Sequence, residues 1–116
     1  MGLDNYASTS PDLDLTDEDR KAFEAANIHL GQGDGGFRGK LYQELILNVT
    51  GVSLYQDWIP PEVVRGMCEA LERRDPEEAT KRTSFYEAGR MPSSVSELRK
   101  FFRVCVERNL GLVSSW

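Results

Sequence analysis

Apolar positions recur at helical spacing in three stretches of the chain. On a wheel turning roughly 100° per residue, Phe37, Leu41, Tyr42, Leu45, Ile46 and Val49 fall within one half, and Gly51 stands where that helix should end. Ile59-Pro60-Pro61 opens a second helix with proline at its first position. Val63, Val64, Met67, Cys68, Ala70 and Leu71 then share one arc, while Glu62, Arg65, Glu69, Glu72 and Arg73 share the other. Pro76 keeps Asp75 out of helical conformation and ends it. The third begins at the capping box Ser94-Val95-Ser96-Glu97 and buries Val95, Leu98, Phe101, Phe102 and Cys105. Val104 falls on its polar side, and it stops at Asn109-Leu110-Gly111. A shorter fourth helix follows Thr16, whose hydroxyl suits an N-cap. Its acidic first turn, Asp17-Glu18-Asp19, suits the positive end of the helix dipole, and it runs to about Ala26 with Phe23 as anchor.

Strand signals are weaker. Asn27 to Leu30 alternates, with Ile28 and Leu30 on one side and His29 on the other, and Leu110 to Val113 reads as a short closing strand. Val52 to Tyr55 reads as a strand or a tight connection. Residues 1–14 show no period that would bury a face and are expected to be a polar lead-in to a single globular domain over residues 15–116. Lys81 to Pro92 is aperiodic and is expected to be a surface loop, pinned by Phe85 and Tyr86. The layout predicts a helix-dominated α+β domain, three to four helices over a small sheet in which the two short strands pair.

Composition agrees with such a domain: 40% of residues are apolar and 28% charged, and Leu45-Ile46-Leu47 is the longest apolar run, so no membrane segment is expected. Met1 to Tyr6 carries neither a basic nor an apolar leader region, which points to a cytoplasmic protein. The formal net charge of −5 is uneven. Residues 1–36 hold eight acids and two bases, whereas residues 37–116 hold eleven acids and twelve bases. That balance, with no basic stripe interleaved by aromatics, excludes nucleic acid as the expected partner. Cys68 and Cys105 lie on apolar helix faces, as unreactive buried thiols do, and two thiols with one histidine do not close a zinc site. No metal or cofactor is expected.

Four of the ten glycines fall within Gly31-Gln32-Gly33-Asp34-Gly35-Gly36. The run satisfies the spacing G-x-G-x-x-G between a predicted strand and a predicted helix, with Asp57 about twenty residues further on. Asp34 nevertheless puts negative charge where a pyrophosphate would lie, and the chain is too short for a full doubly wound sheet with a substrate domain. A narrower expectation is an anion such as phosphate or a nucleotide held at the helix start by Gly33, Asp34, Gly35 and Gly36, with Arg38, Lys40 and His29 beside it. No carboxylate pair, nucleophile with its base, or metal cluster can be assembled from spacing, so no catalytic residue is assigned. Aromatic residues expected in loops and at the terminus, Tyr55, Trp58, Phe85, Tyr86 and Trp116, are of the types enriched at protein interfaces. The favoured expectation is therefore a non-catalytic protein-interaction domain of the accessory or immunity type, with another protein as partner, ahead of an anion binder.

Overall fold

The computed structural model describes residues 3–28, 35–73 and 91–115. Its sheet is built from the two ends of the chain: β1 (Asp4–Ser8) lies antiparallel to the closing strand, Gly111–Ser115, from Asp4 opposite Ser115 to Ser8 opposite Gly111. This corrects the reading of residues 1–14 as a lead-in. Asn5 and Ala7 alternate onto the helix side of the sheet, but Asn5 is polar at a fully buried position and Tyr6 is aromatic on the opposite face, and together they conceal the period. A two-residue strand, β2 (Gly36–Phe37), adds to the outer side of β1, and another, β3 (Trp58–Ile59), adds to the outer side of the closing strand, β4. The order is β2-β1-β4-β3, antiparallel throughout. Short edge strands leave little unpaired backbone to template aggregation.

Four helices among the described residues accompany the sheet. In α1 (Asp17–Ala25) the Asp19 amide donates to Thr16 Oγ1 at 3.1 Å and the Thr16 amide to Asp19 Oδ2 at 3.3 Å, a reciprocal capping box. Asn27, at φ 54°, turns the chain away after it. The strand expected over residues 27–30 therefore does not begin at Asn27, and His29 and Leu30 lie outside the described residues. α2 (Gly39–Thr50) ends on left-handed Gly51, as the pattern requires, but starts two residues after Phe37 because that side chain is committed to β2. The 52–57 segment is a connection, and the strand comes only at Trp58. α3 (Pro61–Arg73) follows its apolar arc, with Val64, Met67, Cys68 and Leu71 buried.

α4 (Met91–Glu107) starts before the capping box at Ser94, so Met91 and Pro92 belong to the helix rather than to the expected loop. Proline is tolerated there because first-turn amides have no intrahelical acceptor. Val104 is buried rather than polar-facing: α4 packs against both α3 and α1, and two neighbours widen the buried arc beyond one stripe.

The core is aromatic at its centre. Phe101 meets Phe23 at a tilt and Phe37 edge-on with ring centroids 5.0 Å apart in each pair, and Phe37 meets Tyr42 at 6.1 Å and Phe102 at 6.2 Å. Phe37 thus carries the sheet edge into contact with α2 and α4. Each such pair contributes about 0.5–1.5 kcal/mol beyond area burial. The result is one compact α+β domain with a radius of gyration of 12.9 Å.

Candidate protein-binding face

Residues opposite one another in an antiparallel sheet project to the same side, and successive residues of a strand alternate. Phe37, Asn5 and Ser114 therefore share one face with Ala7, Leu112 and Ile59, and this face meets the helices. The row between them projects the other way and takes one residue from every strand in spatial order: Gly36, Tyr6, Val113, Trp58. Tyr6, Val113 and Trp58 are each partly exposed.

The two glycines nearest these rings have a steric reason to be glycine. A Cβ on Gly36 would lie 2.7 Å from Tyr6 Cδ1, and one on Gly111 would lie 2.6 Å from Trp58 Cη2 and closer still to the Ile59 carbonyl. Each ring rests on bare backbone, which fixes its orientation with little side-chain freedom left to lose on binding. The helix-side row is fixed as firmly. Asn5 Nδ2 donates to Ser114 Oγ at 2.6 Å and to the Leu54 carbonyl at 3.3 Å, and Ser114 Oγ donates to the same carbonyl at 2.8 Å. That network ties β1, β4 and the 52–57 connection together beneath the exposed row.

The glycine-loop residues are placed differently from the expected anion site. Gly35, at φ 91°, turns the chain into β2 and accepts the Ala7 amide at 2.7 Å, and Gly36 sits in the ladder under Tyr6. Arg38 is the N-cap of α2 without a side-chain cap, and Lys40 is in its first turn with an exposed side chain. The Lys40 amide, a donor that an anion would use, already donates to the Leu3 carbonyl at 3.1 Å. Asn5 Oδ1, a buried acceptor that finds no hydrogen-bond donor among the described residues, also lies against Gly39. Two of the chain's own oxygens thus stand at the helix start. His29, Gly33 and Asp34 lie outside the described residues.

Of the interface candidates, Trp58 joins the exposed row, and Tyr55, 46% exposed, lies in the connection leading to it. Phe85, Tyr86 and Trp116 lie outside the described residues. Tyr6 and Val113 escaped the sequence reading; the signal available was the alternation over residues 3–8, masked by a polar Asn5 on the helix side and an aromatic Tyr6 on the other.

No protein-family model, curated protein or solved structure matches this chain. Its chemistry has to be read from its own side chains. Among the described residues no three His, Cys, Asp or Glu side chains gather as metal ligands would. An open groove on α3 and α4, lined by Arg65, Cys68, Glu69, Glu72, Arg73 and Val106, contains a thiol. Burial, reinforced by Glu72, pushes that thiol's pKa up, which disfavours the nucleophilic thiolate. Beside it Arg103 grips Glu72 through two donors, with Nη2 to Oε2 at 2.9 Å, and this holds the Glu72 carboxyl below its ordinary range.

Proposed function

We propose that this protein is a non-catalytic interaction domain of the accessory or immunity type, which meets a protein partner with the open face of its sheet. The observation that supports it is the row Gly36–Tyr6–Val113–Trp58, in which two large amphipathic rings, held on glycine backbone, flank a valine on the side away from the helices. Tyrosine and tryptophan held this way are the residue types that dominate binding energy at protein interfaces. A cytoplasmic setting, and a protein rather than nucleic acid or a membrane as partner, belong to the same proposal. The acidic balance supports the second, and the two buried free thiols are in keeping with the first. The anion-binding alternative is weakened by the Leu3 carbonyl and Asn5 Oδ1 at the start of α2.

Co-purification from the cells that make the protein tests the reading against that alternative. A Tyr6→Ser/Trp58→Ser chain that keeps its circular dichroism should lose a protein that wild type and Arg38→Ala/Lys40→Ala both retain. Wild type should show no rise in melting temperature with phosphate, ATP or NAD. A rise that Arg38→Ala removes, with no co-purifying protein dependent on Tyr6 and Trp58, would overturn the proposal.

A further inference from the structure

Tyr6 and Trp58 are both direct cross-strand partners of Val113, one on each side of it, so the two rings are attached two strand spacings apart on one face. Neighbouring strands lie about 4.7–4.9 Å apart, which puts the attachment points roughly 9.5 Å from one another across the sheet. A polyproline II helix rises about 3.1 Å per residue with three residues per turn, so every third residue returns to the same edge after about 9.3 Å. The corresponding repeats are about 5.4 Å for an α-helix and about 6.4–6.8 Å for a strand. Of the three, the polyproline repeat is the one that sets residues of consecutive turns over the two rings.

The polar chemistry of the row points the same way. The Trp58 indole offers a donor alone, Nε1–H, and the Tyr6 hydroxyl can donate as well. Neither makes a hydrogen bond among the described residues. A polyproline II segment has no internal hydrogen bonds, so its carbonyls are all free to accept, and proline brings no N–H of its own. Acceptors without donors are what this row is equipped to meet. An α-helix has its carbonyls bonded internally. A strand adding to either edge of the sheet would find only two-residue β2 or β3, the latter followed at once by Pro60.

Size narrows the occupant further. A large aromatic side chain can bury about 150–250 Å². Tyr6, Val113 and Trp58 are only partly exposed, so the apolar row offers on the order of 200 Å². A stable contact between two folded surfaces buries roughly 800 Å² on each partner. The row is too small for a second copy of this chain or a flat domain face, and it suits a short segment whose conformation is set before it binds. We infer that the open face seats a proline-rich segment of the partner in polyproline II conformation, running across the strands, with prolines three apart over Tyr6 and Trp58 and Val113 as the floor between them. The inference rests on the open face being a protein-binding surface and adds the chemistry of the segment that docks there.

Titration of proline oligomers into the full chain separates this inference from the reading beneath it. The readout is the Trp58 indole N–H resonance, identified by its absence from Trp58→Phe. The first and last residues of triproline lie about 6 Å apart and reach one ring, whereas hexaproline holds residues about 9.3 Å apart and reaches both. Hexaproline should therefore bind saturably and about tenfold or more tighter than triproline. Tyr6→Phe should weaken hexaproline severalfold at an unchanged melting temperature, because one donor is lost, and Arg38→Ala should leave the affinity as it is. A glycine-serine hexapeptide should not shift the resonance. Hexaproline binding no tighter than that peptide, an even rise of affinity with length and no step between three and six prolines, or indifference to Tyr6→Phe overturns the inference. If a co-purifying protein then still depends on Tyr6 and Trp58, the open face stands without it; if none does, both readings fall.

Discussion

Asp19 is nearly buried, and its ionisation is decided by competition between desolvation and hydrogen bonding. Burial works to raise its pKa. Arg108 Nε, donating to Oδ1 at 2.7 Å, and the Thr16 amide outweigh burial, so the carboxyl is held below its ordinary value. A lowered folded-state pKa adds stability that is complete above the unfolded value of about 3.9 and is lost as pH falls through the folded value. Wild type should therefore exceed Asp19→Asn in denaturant midpoint by a constant margin at neutral pH, and the margin should shrink below about pH 4. A margin unchanged down to pH 2 would show that the charge is irrelevant. Cys105 makes the opposite case: complete burial pushes its thiol up, and Cys68 is raised for the same cause. Both should resist iodoacetamide in the native state and react in denaturant, and Cys105→Ala should cost about 1 kcal/mol for the lost volume. These thiols were legible from their place on apolar arcs. The Asp19–Arg108 pair was not, because it joins residues 89 positions apart and no local spacing encodes it.

Helices announced themselves and strands did not. The arcs of α2 and α3 recur over three or more turns, so the period survives one dissenting residue; β1 has five residues, and a buried polar Asn5 next to an aromatic Tyr6 on the opposite face was enough to hide it. β2 and β3, at two residues each, have no period at all and exist only because β1 and β4 are there to pair with. It follows that β1 is indispensable. Deleting residues 1–8 should abolish cooperative unfolding, since it removes the strand between β2 and β4 along with buried Leu3, Asn5 and Ala7. A truncated chain with an unchanged melting transition would return those residues to the status of a lead-in. Gly111→Ala should destabilise by about 1–3 kcal/mol, read from the denaturant midpoint, because the added methyl meets the Ile59 carbonyl as well as the Trp58 ring and the carbonyl is held in the β3–β4 ladder. A neutral Gly111→Ala would mean that Trp58 is not seated as described.

Among the described residues the sheet has one side covered by helices and one that is not. Ends of the chain meet as the central strand pair, the helix side buries the phenylalanine cluster, and the other side presents the row of Tyr6, Val113 and Trp58. Of the row's three side chains, Trp58 was selected beforehand for its residue type, whereas Tyr6 and Val113 became visible only through the register that sets them beside it. The most direct measurement is calorimetric titration of the co-purified partner into wild type, Trp58→Ala and Arg38→Ala. A central anchor at an interface is worth 2 kcal/mol or more, so Trp58→Ala should weaken binding by about thirtyfold or more while Arg38→Ala changes it by less than about threefold. Equal affinity for wild type and a folded Trp58→Ala chain would contradict the assignment of the open sheet face as the binding surface.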